Sequence, residues 1–302
     1  MNEVTLPPNA IRVRTGRQSI PFSRGILTKS LTQAGVGVEE AYAIAEEMEG
    51  EISGSKETEV SADELIDHTY QKMKERGLTK AATNYRVWRK VRELKVPLII
   101  LIGGGTGVGK STVSTEIAFR LGINYTISTD TVREVMRRVV SEELMPTLAV
   151  SSFETDISIV LPTIMIDKAL YAFERQVSHV GVGINAVLER AQKESISVII
   201  DGVHVVPGYI DMENLDAIVF PFMLYVSDIE QHKAHFYARG IGSGRTPERY
   251  IKNLDRIRHI QEFILERAKS HGILTIDNLN LEETTDRIME VITQRLKKEI
   301  EK

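Results

Sequence analysis

The sequence predicts an α/β protein in which a doubly wound parallel sheet follows a small, mainly helical module. Five short runs rich in Ile and Val, starting at 98, 125, 197, 217 and 273, show no polar alternation and are separated by helical patterns. Strands buried on both faces of a parallel sheet read this way. The first run leads straight into "GGGTGVGKST", a glycine-rich turn closed by a lysine and two hydroxyl residues, and then into a helix-forming segment. The stretch before residue 95 instead shows amphipathic helical spacing with brief extended pieces. A chain of 302 residues is long for one core, so residues 1–95 and 96–302 are read as separate domains, with "LKVP" at 94–97 as the boundary.

Composition narrows the class. With 42% hydrophobic and 26% charged residues the chain is an ordinary globular one, not a disordered or fibrous one. A net charge of −4 gives no global basic field, so nucleic acid is not an expected partner. Cysteine is absent, which excludes disulfides, thiolate zinc sites and cysteine nucleophiles. No apolar run approaches a membrane span and no leader pattern opens the chain, so a cytoplasmic enzyme or regulator is expected.

In chain order, residues 11–27 read as a short strand, a turn at Thr15 and Gly16, and a second extended piece. Ala41, Ile44, Ala45, Met48 and Ile52 then line one face of a helix starting near Val38. Ser61 and Glu64 form a capping box for a second helix that turns Leu65, Ile66, Thr69 and Met73 inward. A third runs from about Lys80 to Glu93. In the second domain the five strands alternate with helices, and residues 141–170 are expected to be helical with a break at Pro162.

Gly104, Gly109, Lys110 and Ser111 fit G-x-x-x-x-G-K-[ST] between a strand and a helix, the setting in which backbone N–H groups wrap phosphate oxygens. Gly104, Gly105, Thr106, Gly107, Val108, Gly109, Lys110, Ser111 and Thr112 are therefore the expected nucleotide-binding residues, with side chains at Gly105, Gly107 or Gly109 expected to obstruct the phosphates. Lys110 reaches the β- and γ-phosphates, and Ser111 ligates Mg²⁺. Asp201 ends the strand "SVIID", where it can hold the metal or its water, although "DG" is also a simple turn. In "STDTVRE", Asp130 and Arg133 share the first turn of a helix, placed to accept a hydroxyl proton and grip an anionic substrate, or else to cap the helix and face solvent.

Residues 235–258 hold five arginines around a Gly-Ile-Gly-Ser-Gly turn. Arg239 and Arg245 at its hinges suit a lid over the transferring phosphate, whereas Arg249, Arg256 and Arg258 read equally as a solvated face. Arg175 and His204 are further candidates for the acceptor site, each with a bland structural alternative. His232 and His235 lie three apart on a helix, but no third ligand at metal spacing accompanies them. An Asn-Lys-x-Asp base-reading motif is missing and "DGVH" is no D-x-x-G, so a GTPase switch is disfavoured against a small-molecule kinase.

The N-terminal module, "IRVRTGRQSIPFSRGILTKSL" through "NYRVWRKVRE", resembles an ATP-cone, the nucleotide-sensing domain of ribonucleotide reductases and their repressors. Val13, Arg14 and Gly16 match its first turn, and Gly25 replaces the basic residue usual ahead of its helix. Together with "GGTGVGKST", "STDTVREVMR", "ERQVSHV", "IIDGVHVVPG" and the arginine segment, nearly the whole chain resembles the archaeal 2-phosphoglycerate kinases. The resemblance implies a P-loop NTPase-type fold, ATP and Mg²⁺, and transfer of the γ-phosphoryl to the 3-hydroxyl of 2-phosphoglycerate, giving 2,3-bisphosphoglycerate, the precursor of cyclic 2,3-diphosphoglycerate. The expected catalytic set is Lys110, Asp130, Asp201, Arg239 and Arg245, with Asp130 preferred over Asp201 as base because Asp201 is better placed for the metal. Asp130, Arg133, Arg175 and His204 form the expected acceptor site. The expected partner is a small phosphorylated acid, with self-association left open. An ATP-sensing regulator, or a kinase of another phosphorylated acid or polyol, remains the alternative.

Overall fold

Amphipathic spacing shapes the first part of the chain. The computed structural model describes residues 11–15, 18–54, 59–91, 96–158, 167–212, 214–240 and 246–300. These group into two compact units, one of residues 11–91 with 293–300 and one of residues 96–292. The division expected at 95/96 puts 293–300 in the second module, whereas in the structure they group with the first.

In the first unit, β1 (Arg12–Thr15) pairs antiparallel with β2 (Gln18–Pro21) and parallel with β3 (Glu59–Ser61). Helix α1 (Arg24–Gln33) begins where the Ser23 hydroxyl accepts from the Ile26 N–H. It holds by burying Leu27 and Leu31. Residues 24–27 were expected to be extended; a weak helix former stabilised by a cap and tertiary burial gives little local signal. Gly16 lies outside the described residues. Helix α2 (Val38–Gly54) buries Ala41, Ile44, Ala45, Met48 and Ile52, the face that the spacing predicts. Helix α3 (Ala62–Glu75) opens with the Ser61/Glu64 capping box, and α4 (Thr79–Val91) follows.

An unbroken apolar strand has no face to give to water, and β4 (Leu98–Gly104) is buried along its length. It is followed by α5 (Lys110–Leu121), β5 (Tyr125–Ser128) and α6 (Thr129–Val139). Instead of the helix expected over 141–170, two 3₁₀ turns, Pro146–Ala149 and Ser152–Ser158, precede α7 (Lys168–Lys193). Pro162 lies outside the described residues. The remaining elements are β6 (Val198–Asp201), β7 (Ile218–Tyr225), α8 (Ile229–Gly240), α9 (Pro247–Lys252), α10 (Leu254–Ser270), β8 (Leu274–Asp277) and α11 (Leu281–Ile300).

The five strands of this unit run parallel in the order β5-β6-β4-β7-β8, so β4 is central. The chain winds first to one side of β4 and then to the other, and ligands of such sheets sit at the carboxyl ends where the direction switches. Val180, Ile184 and Leu188 of α7 and Ile257, Ile260 and Ile264 of α10 pack into one core with Ile99, Leu101 and Ile200. Each fully buried side chain contributes about 1.5–3 kcal/mol, which fixes the strand ends that carry polar groups. Among the described residues no helix is long and apolar enough to cross a membrane.

Candidate active site

Residues 105–109 bridge the end of β4 and the start of α5, and each of their carbonyls is occupied. Lys110 Nζ donates to Gly105 O at 2.7 Å. His232 Nε2 donates to Thr106 O at 2.8 Å, and His235 Nδ1 to Gly107 O at 3.0 Å. Asn278 Nδ2 donates to Val108 O at 2.8 Å, and the Val113 N–H to Gly109 O at 3.1 Å. Among the described residues none of the five N–H groups of 105–109 makes a close, well-aligned hydrogen bond within the protein, Thr106 and Gly107 forming a tight turn. A loop whose carbonyls are engaged and whose N–H groups are left over is an anion nest, and the N-terminus of α5 adds its dipole. Gly107 is required twice, by its φ of +85° and because a Cβ would stand 2.4 Å from the Phe236 ring. On the protein side, then, a side chain at 107 has no room.

Beside the loop stand Lys110, Asp201 and Asp130. Burial lowers the Lys110 ammonium to about 8, opposed by the charges of Asp201 and Asp130. Asp201, paired in register with Ile102 of β4 and Ser128 of β5, is 3% exposed. Burial pushes its carboxyl above the ordinary aspartate value; a hydrogen bond from Ser111 and the Lys110 charge oppose this, and Asp130 adds to it. Ser128, rather than Asp130, caps α6, its hydroxyl accepting from the Asp130 N–H at 3.2 Å. The Asp130 carboxylate is thereby left exposed at the first turn, 3.7 Å from Arg133 Nε.

His204 is enclosed by other side chains. It is fully buried, Thr129 Oγ1 lies 2.9 Å from its Nδ1, and Gln176 Oε1 lies 3.1 Å from its Nε2. The Gln176 amide nitrogen donates to the carbonyls of Thr147 and Val150, so its oxygen must accept from His204 Nε2–H and Thr129 donates to Nδ1. Burial holds this imidazole down to about 4, hence neutral. The expectation that His204 binds substrate is thus corrected: both nitrogens are spent on holding β6, α6 and α7 together. Gly202 allows this, since a Cβ there would fall 1.8 Å from Thr129 Oγ1. Arg133 joins the same knot, donating to Leu148 O at 2.8 Å and pairing with Glu134 at 2.9 Å. Arg175 is exposed on α7.

Sequence comparison places this site in a family. Residues 11–94 match the ATP cone domain. A 2-phosphoglycerate kinase of Thermococcus kodakarensis is 46% identical over 92% of this chain and 94% of its own. Another protein of that name, from Methanopyrus kandleri, is 42% identical over 95% of this chain and 88% of its own. The chain belongs to the 2-phosphoglycerate kinase family.

In this kinase the arginine segment is built into the fold. His232, Phe236, Tyr250 and Phe153 form a ladder of rings with successive centroids 5.1, 5.0 and 5.6 Å apart. Arg239 lies 6.0 Å from the Tyr250 ring and Arg249 5.6 Å from that of Phe153. Arg249 also pairs with Glu154, Arg256 with Asp156 at 3.1 Å, and His259 with Asp167 at 2.5 Å. Arg258 donates to the carbonyls of Val226 and Ser227. Arg249, Arg256 and Arg258 therefore tie neighbouring elements together and are not a freely solvated face. Arg245 lies outside the described residues. Among the described residues no cluster of acidic and histidine side chains is arranged for a metal, and the His232/His235 spacing serves the loop. Gln176, Thr129 and Asn278 were not anticipated, since one buried polar residue leaves no periodic trace in a sequence.

Proposed function

We propose that the protein transfers the γ-phosphoryl group of ATP to the 3-hydroxyl of 2-phosphoglycerate, giving ADP and 2,3-bisphosphoglycerate. The observation that carries this reading is the loop between β4 and α5, with its N–H groups left for a ligand beside Lys110, Asp201 and Asp130. The 46% identity to a protein named for that acceptor supports the substrate. The loop N–H groups and Lys110 hold the β- and γ-phosphates, so charge is neutralised and the reacting atoms are aligned before transfer. One ammonium N–H donates to Gly105 O, which leaves two for phosphate oxygens. The acceptor oxygen attacks the γ-phosphorus in line as the bond to the β–γ bridging oxygen breaks. Asp130 takes the hydroxyl proton and ADP leaves with the electron pair.

Ser111 and Asp201 offer neighbouring hard oxygen atoms, which fits Mg²⁺. A buried carboxyl that burial drives toward protonation gains by exchanging its proton for a cation. When bound there, the ion supplies positive charge against the phosphate oxygens. The acceptor's own phosphate and carboxylate call for cations, and Arg133, Arg175 and Arg239 are those we assign to it, with Arg245 as a further candidate.

The test is to incubate the protein with ATP and Mg²⁺ plus 2-phosphoglycerate, 3-phosphoglycerate, glycerate or a phosphorylated polyol, following ADP release and ³¹P NMR. Stoichiometric ADP with a bisphosphorylated product from 2-phosphoglycerate is expected. Turnover with another acceptor alone would transfer the reading to that substrate, and ADP release with no phosphorylated product would make the protein an ATPase.

A further inference from the structure

Four side chains, from α5, α8 and the loop after β8, grip successive carbonyls of the phosphate loop, and two of them give up a hydrogen bond to do so. His232 is fully buried, and while its Nε2 donates to Thr106 O its Nδ1 has no partner. Asn278 is 5% exposed, and while its Nδ2 donates to Val108 O its Oδ1 has no partner. An unpaired buried polar atom is costly, whereas an apolar residue of similar shape avoids that cost. Packing alone would favour a phenyl ring at 232, stacked on Phe236 as the imidazole is at 18°, and an isobutyl group at 278. What the polar residues add is the donor.

The consequence follows from peptide planarity. A carbonyl held on one side of a peptide plane fixes the N–H of the next residue on the other. Holding the carbonyls of 106, 107 and 108 therefore sets the directions of the N–H groups of Gly107, Val108 and Gly109. On α8, His232, His235, Phe236 and Arg239 fall at i, i+3, i+4 and i+7, one face of the helix. The same rigid element thus holds the loop and carries Arg239.

We propose that His232, His235 and Asn278 are positioning residues for the nucleotide, aiming the N–H groups of the phosphate loop by holding its carbonyls from behind. This rests on the reading of residues 104–112 as the ATP phosphate site. Neither histidine touches the phosphates; each acts through the loop backbone. Burial keeps the His232 imidazole neutral against the pull of its bond to Thr106 O, helped by the charges of Arg258, His235 and Lys110.

The experiment uses the full chain and three variants, with ATP affinity measured by titration calorimetry and melting temperature by circular dichroism. His232→Phe keeps the ring and loses the donor, His232→Gln keeps a donor at the same reach and loses the ring, and Asn278→Leu removes the donor at nearly constant volume. Expected are ATP dissociation constants raised about tenfold in His232→Phe and Asn278→Leu, the size of one lost hydrogen bond. Their melting temperatures should equal or exceed that of the unaltered chain, and His232→Gln should recover most of the lost affinity. Unchanged ATP affinity in the two apolar variants, or a glutamine variant weaker than the phenylalanine one, would overturn the proposal in favour of packing. Should His232→Phe fail to fold, Asn278→Leu decides by itself. Failure of the unaltered chain to bind ATP would instead overturn the reading of the loop as a nucleotide site.

Discussion

Lys110 works against the fold in order to serve the chemistry. Its ammonium is lowered from 10.5 to about 8 by burial, so the folded state holds this proton less tightly than the unfolded chain does. The lysine therefore costs stability below pH 8, and the cost is relieved as pH rises from about 8 toward 10.5. Lys110→Met should abolish turnover, by roughly 10² to 10⁴-fold, while raising the melting temperature at neutral pH, and that gain should shrink in alkaline buffer. In the unaltered protein kcat/KM for ATP should fall as pH rises through about 8, because this ratio reports the free enzyme. Asp130 and Arg133 are separable in the same way. Asp130→Asn should lower kcat with little change in either KM, since the proton moves only during transfer. Arg133→Met should raise the acceptor KM more than the ATP KM, because Arg133 is the cation assigned to the acceptor and is itself held by the carbonyls of Leu148 and Val150. Steady-state kinetics with each substrate varied in turn distinguishes these outcomes from a shared structural effect.

Among the elements, α7 shows how one residue can serve both a cap and a seam. Asp167 accepts from the Leu170 N–H at 2.9 Å at the start of α7 and pairs with His259 of α10. Burial raises its carboxyl, but the helix N–H groups and His259 outweigh that and hold it below 3.8. A depressed acid contributes stability above its unfolded value and loses it as pH falls through the folded one. Asp167→Ala should therefore cost about 1 kcal/mol at neutral pH, read as a lower melting temperature, and the difference from the unaltered chain should vanish below the usual aspartate range. The pairs Arg249–Glu154 and Arg256–Asp156 are more exposed and screened by salt, so they fix orientation more than they add stability.

At the scale of the molecule, the last turns of α11 belong with the first unit. Thr293 and Leu296 are buried, and residues 293–300 group with 11–91. A fragment of residues 96–302 lacks residues 11–91, with which 293–300 group, and a leucine that loses its burial costs about 1.5–3 kcal/mol. The fragment should melt several degrees lower or aggregate, as differential scanning fluorimetry and light scattering would record. It should still bind ATP, because residues 104–112, His232, His235 and Asn278 all lie within 96–292. A fragment as stable as the corresponding part of the full chain would show that this burial is dispensable.

What the sequence determined by itself is what local patterns encode. The apolar runs specified the five strands of the parallel sheet, i/i+3/i+4 spacing specified α2, and Ser61 with Glu64 specified the start of α3. Strand, glycines, lysine and helix together marked the phosphate loop because its geometry depends on neighbours in the chain. Tertiary structure alone decided the rest. The strand order, the 126 residues that separate His232 from Thr106 and the 170 between Asn278 and Val108 are long-range matters. So is the fate of His204, which the motif context offered as a candidate ligand beside a structural role, and which Thr129 and Gln176 enclose. A buried polar group acquires its meaning from the donor or acceptor that folding brings to it, and a one-dimensional pattern does not carry that partner.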